Sequence, residues 1–290
     1  MKLGKLISNK IMHPKNPKIR KFLRKIQRLT EDLSTYIKMS LEEEKIQRVT
    51  DFASCPHPVL LIYGFGTTRR IFTILEKRLR KDGYCVFSIH LGGFLDTFNT
   101  GGIKRSAKLI EEKVNKLKEQ YNLGPLSIIG YSKGGLIGSY YVKFLSGANK
   151  VCNLITMGCP HNGTPWALVG LLSPLALFSK SIRQMWPLSP FIRKLNNAPM
   201  PEHVNFVSIY SKGDSICPYP CCKLEIEGRP NYKNIEMKDI SHSQFVISRS
   251  VYEVIRGELE MGMDIPPPSP NQNNETQSND HEDFPTPMVN

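Results

Sequence analysis

The stretch "LSIIGYSKGGLIG", residues 126–138, runs from apolar residues through a knot of glycines around one serine into small apolar residues. Its first half suits a buried strand and its last half a helix, so Gly130-Tyr131-Ser132-Lys133-Gly134 falls at the handover. Glycine tolerates backbone geometry that residues bearing a Cβ resist. A G-x-S-x-G turn at a strand-to-helix junction lifts the serine Oγ clear of the sheet, where it can act as a nucleophile. Five residues of this kind also fit an ordinary Gly/Ser loop, so their neighbours must decide.

Working outward, "PVLLIYGFG", "YCVFSIHL", "PLSIIGYS", "VCNLITMGC", "VNFVSIYS" and "NIEMKDI" read as strands. Helical patterns over residues 68–81, 102–121, 134–146 and 244–258 separate them. The short runs are rich in β-branched and aromatic residues, as strands buried on both faces are. Their alternation with helices predicts a mainly parallel sheet with crossover helices, over residues of about 58–260. Ser132 then sits at the carboxyl end of a strand. Asp214, in "SIYSKGDSICP", and His242, in "KDISHSQF", follow later strands in the same way. A serine hydroxyl needs an adjacent base to become a useful nucleophile, and the order Ser, Asp, His at strand ends supplies one. Asp239, three residues before His242, is a rival acid. His161 and His90 read as structural residues, His90 packed at a strand end.

Residues 58–260 resemble the α/β-hydrolase lipases and esterases, closest to the bacterial lipase and GPI-inositol-deacylase-like branch. The resemblance rests on five segments in order: "LLIYGFGTTRRIFTILEKRLRKDGY", "GYSKGGLIGSYYV", "LITMGCPHNGTPWA", "IYSKGD" and "ISHS". Two positions depart from the usual pattern. Tyr131 precedes the serine where a histidine is more common, and Tyr63 replaces a histidine that is common before the first loop. The resemblance implies an α/β-hydrolase fold and a carboxylic ester hydrolase acting on lipid or acyl-chain esters. Ser132, Asp214 and His242 would form its triad, and the backbone N–H groups of Phe65 and Lys133 its oxyanion hole. The chemistry calls for no metal or cofactor. An acyltransferase or thioesterase with the same triad is the enzymatic alternative, and a non-catalytic protein of this fold that binds membrane is another.

Composition sets the surroundings. The chain has 290 residues, 40% of them hydrophobic and 22% charged, which suits a globular protein with one large core. The formal net charge is +13, yet residues 1–30 hold ten Lys and Arg and no acid, which leaves +3 for the remainder. The basic character therefore belongs to an arm, residues 1–50. Within it Ile19, Phe22, Leu23, Ile26, Leu29, Leu33 and Ile37 form one apolar stripe of a helix that ends near Gln47. Such an arm can meet an anionic membrane, its second half packing on the body and its first half free. Nucleic acid is not expected, because no binding module is recognisable.

The hydrolase domain is expected over residues 51–261, with an apolar insertion at about 162–200. Trp166, Leu168, Leu171, Leu172, Phe178 and Trp186 of that insertion are expected to form a lid and an acyl-chain pocket. Residues 262–290 contain five acids, no Lys or Arg and many Pro and Asn, and are expected to be disordered. The seven cysteines are scattered and odd in number, so they read as thiols in a reducing compartment. Cys217, Cys221 and Cys222 cluster, but no second cluster completes a zinc site. No Sec signal peptide or membrane-spanning stretch is present, so a cytoplasmic location is expected, with peripheral membrane contact through the arm.

Overall fold

The computed structural model describes residues 17–41, 50–55, 57–93, 98–165, 167 and 180–263. Six strands form one sheet: β1 (Pro58–Ile62), β2 (Cys85–Ser88), β3 (Leu126–Tyr131), β4 (Val151–Met157), β5 (Asn205–Ser211) and β6 (Tyr232–Met237). Every neighbouring pair is parallel, in the order β2-β1-β3-β4-β5-β6. All six sequence-predicted strands are present. Every residue of β1, β3 and β4 is buried, because helices cover both faces. At the edge, β6 buries Tyr232 and exposes Lys233 and Glu236.

The helices are α1 (Pro17–Leu41), α2 (Thr73–Lys81), α3 (Ile103–Tyr121), α4 (Lys133–Phe144), α5 (Lys180–Gln184), α6 (Pro190–Asn197), α7 (Tyr219–Cys222) and α8 (Arg249–Met263). In α3, Ile103, Ala107, Ile110 and Val114 bury one stripe, and Asn122 closes the helix in the left-handed region at φ 47°. By contrast α4 is buried nearly all round, since it lies against the centre of the sheet. Pro17 begins α1, a position where its missing N–H costs nothing.

Several expectations need correction. The helix of the arm is described to Leu41, and residues 42–49 lie outside the described residues. Two residues of the expected stripe, Ile19 and Ile37, are exposed, whereas Asp32 and Ser40 of the same helix are buried. Two cysteines are not thiols, because Cys55 and Cys85 form a disulfide with Cα atoms 5.9 Å apart. That bridge ties the segment before β1 to the start of β2, and it removes cysteine usage as support for a reducing compartment. His90 is exposed and does not pack.

The described part of the insertion packs on the body. Gln184 Oε1 accepts the Ile103 N–H at 2.7 Å, and the Phe191 ring stacks on Tyr140 at 5.8 Å. Trp186 lies half-buried against the main core. Trp166, Leu168, Leu171, Leu172 and Phe178 lie outside the described residues, as does the tail from residue 264. Among the described residues, no helix is long and apolar enough to cross a membrane.

Candidate active site

Ser132 joins β3 to α4 with φ 53° and ψ −125°, a backbone conformation that L residues rarely adopt. Such a conformation costs on the order of 1–3 kcal/mol and persists only where its surroundings enforce it. Here the Ser132 N–H donates to the Met157 carbonyl at 2.9 Å, and the Gly135 N–H donates to the Ser132 carbonyl at 3.0 Å. Close packing explains the glycines beside it. A Cβ on Gly134 would stand 2.0 Å from the Ile62 carbonyl oxygen, and one on Gly130 would stand 2.6 Å from the Gly135 Cα. The start of α4 is thus pressed onto β1 at a distance that no side chain allows.

Asp214 and His242 meet at the same edge of the sheet. Asp214 follows β5, and its Oδ1 accepts the N–H groups of Ile216 and Cys217, both at 2.8 Å. Its Oδ2 lies 2.7 Å from His242 Nδ1, and both side chains are buried. A carboxylate only accepts, so Nδ1 carries the proton and Nε2 is left with its lone pair. The rival Asp239 is exposed, with φ 51°, and the carboxylate that reaches the imidazole is that of Asp214. Burial of the ring disfavours imidazolium, but the charge of Asp214, the nearby Cys217 sulfur, the Asp214 hydrogen bond and the charge of Asp32 outweigh it. The result is a His242 pKa raised from 6.5 to about 9. Gly158 leaves room for the pair: a Cβ there would lie 3.1 Å from both Asp214 Oδ2 and His242 Nδ1.

Tyr131 brings β3 to this pair. Its hydroxyl donates to the His242 carbonyl at 3.1 Å, and the two rings lie 5.0 Å apart. Ser132, the next residue, is therefore held at the end of the strand that touches His242. The sequence reading treated Tyr131 only as a departure from a common histidine. Its bulk and hydroxyl in a buried elbow were the available signal.

Phe65 and Lys133 also come together. Lys133 opens α4, where first-turn N–H groups lack intrahelical acceptors. Phe65 lies in the loop after β1, and its ring centroid is 5.6 Å from Lys133 Nζ. The Lys133 side chain is completely buried. It donates to the Asn99 carbonyl (3.1 Å), Asn99 Oδ1 (2.8 Å) and the Gly101 carbonyl (2.6 Å), and burial lowers its pKa to about 7. Asn99 in turn donates from Nδ2 to the Tyr63 carbonyl at 2.8 Å and accepts the Gly66 N–H at 3.1 Å. Lys133 and Asn99 therefore staple the loop after β1 to the loop before α3. Asn99, an isolated polar residue in a loop, carried no sequence signal. Tyr63 is anchored too, its hydroxyl accepting the Leu91 N–H at 2.9 Å.

His161 is structural. It is buried against Phe206, bonds Thr156 at 2.9 Å and is held neutral by burial, its pKa lowered to about 3. It helps to line a cavity of about 250 Å³ with Lys143, Arg229 and Tyr232. Cys217, just before α7, and Cys222, at its end, are buried free thiols.

A family model described as alpha/beta hydrolase fold matches residues 57–181. The chain has the α/β-hydrolase fold. It is similar to the mature lipase BlEst2 of Bacillus licheniformis, with a TM-score of 0.59 at 15% identity, over 73% of this chain and 94% of that one. Lipase B of Aspergillus fumigatus matches with a TM-score of 0.62 at 15% identity. That match covers 77% of this chain and 56% of the lipase, so the chain spans about half of that protein. The esterase EaEST of Exiguobacterium antarcticum matches with a TM-score of 0.51 at 15% identity, over 71% of this chain and 92% of that one. Within this fold, the parallel sheet aligns the carboxyl ends of β3, β5 and β6, and Ser132, Asp214 and His242 follow those ends.

Proposed function

We propose that this α/β-hydrolase is a serine hydrolase of carboxylic esters, with lipid or other acyl-chain esters as its substrate class. The observation that carries the reading is the strained Ser132 elbow at the edge where Asp214 bonds His242 Nδ1 and leaves Nε2 basic. Ser132 Oγ attacks the ester carbonyl carbon while its proton passes to His242 Nε2. The oxyanion that forms is met by the backbone N–H groups of Phe65 and Lys133. Collapse breaks the bond to the alkoxy group, which leaves with the proton from His242. Water then attacks the acyl-enzyme by the same path and releases the acid and free Ser132. Asp214 holds the imidazole tautomer and stabilises the imidazolium. The lipases and the esterase among the structural neighbours support an ester substrate.

The test is covalent labelling by a fluorophosphonate, followed by turnover of acyl esters of graded length. Ser132→Ala should abolish labelling and lower turnover at least about 10⁴-fold, and adding His242→Ala should cost little more, because triad members act as a unit. Retained turnover in Ser132→Ala would remove the reading. The apolar insertion at 162–200 is assigned the acyl-chain contacts, with each buried methylene adding about 0.8 kcal/mol to binding until the pocket is full. For the basic arm we propose contact with anionic membrane. The exposure of Ile19, Ile37 and Leu41 supports this, since it leaves apolar side chains of α1 uncovered by the body.

A further inference from the structure

Asp32 lies in α1, more than 200 residues from the histidine loop in sequence, and is buried. Its Oδ1 accepts the Ser241 hydroxyl at 2.9 Å, the Ser243 N–H at 2.7 Å and the Ser243 hydroxyl. Its Oδ2 accepts the His242 N–H at 2.8 Å. One carboxylate therefore holds three consecutive residues centred on the base, at the start of the 3₁₀ turn Ser243–Val246. The rest of α1 is secured nearby: the Thr68 hydroxyl donates to the Ser40 carbonyl at 3.0 Å, and Met39 packs against the core. Thr68 ends the loop that carries Phe65, so α1 touches both the base loop and the proposed oxyanion loop.

We propose that Asp32 is a positioning residue for the active site, so that α1 forms part of the catalytic machinery although it lies outside the sheet. This rests on the reading of His242 as the base. Two effects follow from the geometry. Four hydrogen bonds fix the backbone of residues 241–243 and thereby the place from which the imidazole reaches out. The carboxylate also adds negative charge beside the ring, which favours the imidazolium formed when Ser132 gives up its proton. The groups facing His242 are Asp214 and Cys217 from the segment after β5, Tyr131 from β3 and Asp32 from α1. A hydrogen bond with Cys222, together with burial, holds the Cys217 pKa well above 9, so at neutral pH the charged neighbours are the two carboxylates. Asp214 orients the ring through Nδ1, and Asp32 orients the main chain that carries it.

The experiment compares wild type, Asp32→Asn, Asp32→Ala and the exposed neighbour variant Glu31→Gln in the full chain. Steady-state rates on a soluble short-chain ester are measured across pH, with thermal unfolding and the downfield proton spectrum of His242 Nδ1–H. Asp32→Ala should lower kcat about 10²-fold, the scale of a misplaced catalytic group, with KM little changed. Asp32→Asn keeps an acceptor for the two serines but sets an N–H₂ against the His242 N–H. It should lose less activity and move the acid limb of kcat/KM to lower pH by about 0.5 unit, because a negative charge has gone. Glu31→Gln should match wild type. If Asp32→Ala does not fold, Asp32→Asn decides. Unchanged kcat and acid limb in a folded Asp32→Asn protein overturn the proposal, as does a loss of activity that only tracks a lower melting temperature. If wild type neither labels with fluorophosphonate nor turns over esters, the hydrolase reading fails, and Asp32 is judged by the proton spectrum. A His242 Nδ1–H resonance that does not move in Asp32→Asn then overturns the positioning role, and a displaced one upholds it.

Discussion

Under the proposed function, the Asp214–His242 pair should make ester turnover depend on pH in a distinctive way. Raising the His242 pKa from 6.5 to about 9 corresponds to a preference of roughly 3 kcal/mol for imidazolium in the folded protein. The base must be neutral to take the Ser132 proton, so kcat/KM should climb about tenfold per pH unit toward a midpoint near 9 and level off above it. Asp214→Asn removes the main attraction and leaves burial of the ring opposed by Cys217 and Asp32. The midpoint should fall to below neutral pH, while the plateau rate drops about 10⁴-fold because nothing now sets the tautomer. Stability carries the opposite sign. The folded pKa of His242 lies above its unfolded value, so its contribution is complete below pH 6.5 and is lost as pH rises through about 9. The difference in melting temperature between wild type and Asp214→Asn should therefore be wide at pH 6 and narrow at pH 10. Initial rates on a short-chain ester by pH-stat, paired with thermal melts in the same buffers, measure both. A wild-type acid limb at or below 6.5, or a limb that Asp214→Asn leaves in place, would refute the electrostatic account.

Two further outcomes test the surroundings of the site. Lys133→Met keeps the bulk of the side chain but removes the donors to Asn99 and Gly101, so the loop bearing Phe65 should loosen. We expect kcat to fall about 10²–10³-fold, as for loss of an oxyanion donor, with fluorophosphonate labelling slowed in parallel; unchanged labelling would leave Lys133 a purely structural residue. Deleting residues 1–16, which leaves α1 and Asp32 in place, should weaken sedimentation with anionic liposomes at low salt yet spare turnover of a soluble ester. Equal sedimentation of both proteins would remove the membrane from the account, the charge of the arm being worth up to about 1 kcal/mol per Lys or Arg near the surface.

Most of the fold was legible because its information is local and repeated. The strands announce themselves as continuous β-branched runs, since helices cover both faces of the sheet and no position needs to be polar. The elbow was legible because glycine spacing records where main chain must approach main chain, as at Gly134 against Ile62. Asp214 and Asp239 both follow strands, and it is the bond to His242 Nδ1 that tells them apart. What escaped were contacts made once, between distant segments, by residues with no period: Tyr131 on His242, Asn99 under Lys133, and the Cys55–Cys85 bridge.

In the arm, a polar contact and not only an apolar one faces the body. At about 100° per residue, Ile19 and Ile37 fall on one side of α1, Asp32 lies about 140° round from them, and Met39 returns to within about 20° of Asp32. The helix is turned so that a carboxylate meets four donors around His242, and Ile19 and Ile37 stay exposed. A buried carboxylate needs several well-placed donors, whereas an exposed isoleucine forgoes only its own burial, so the polar requirement fixes the rotation. That order of constraints is invisible in a single sequence, because the donors to Asp32 lie more than 200 residues away, in a loop recognised only for its histidine.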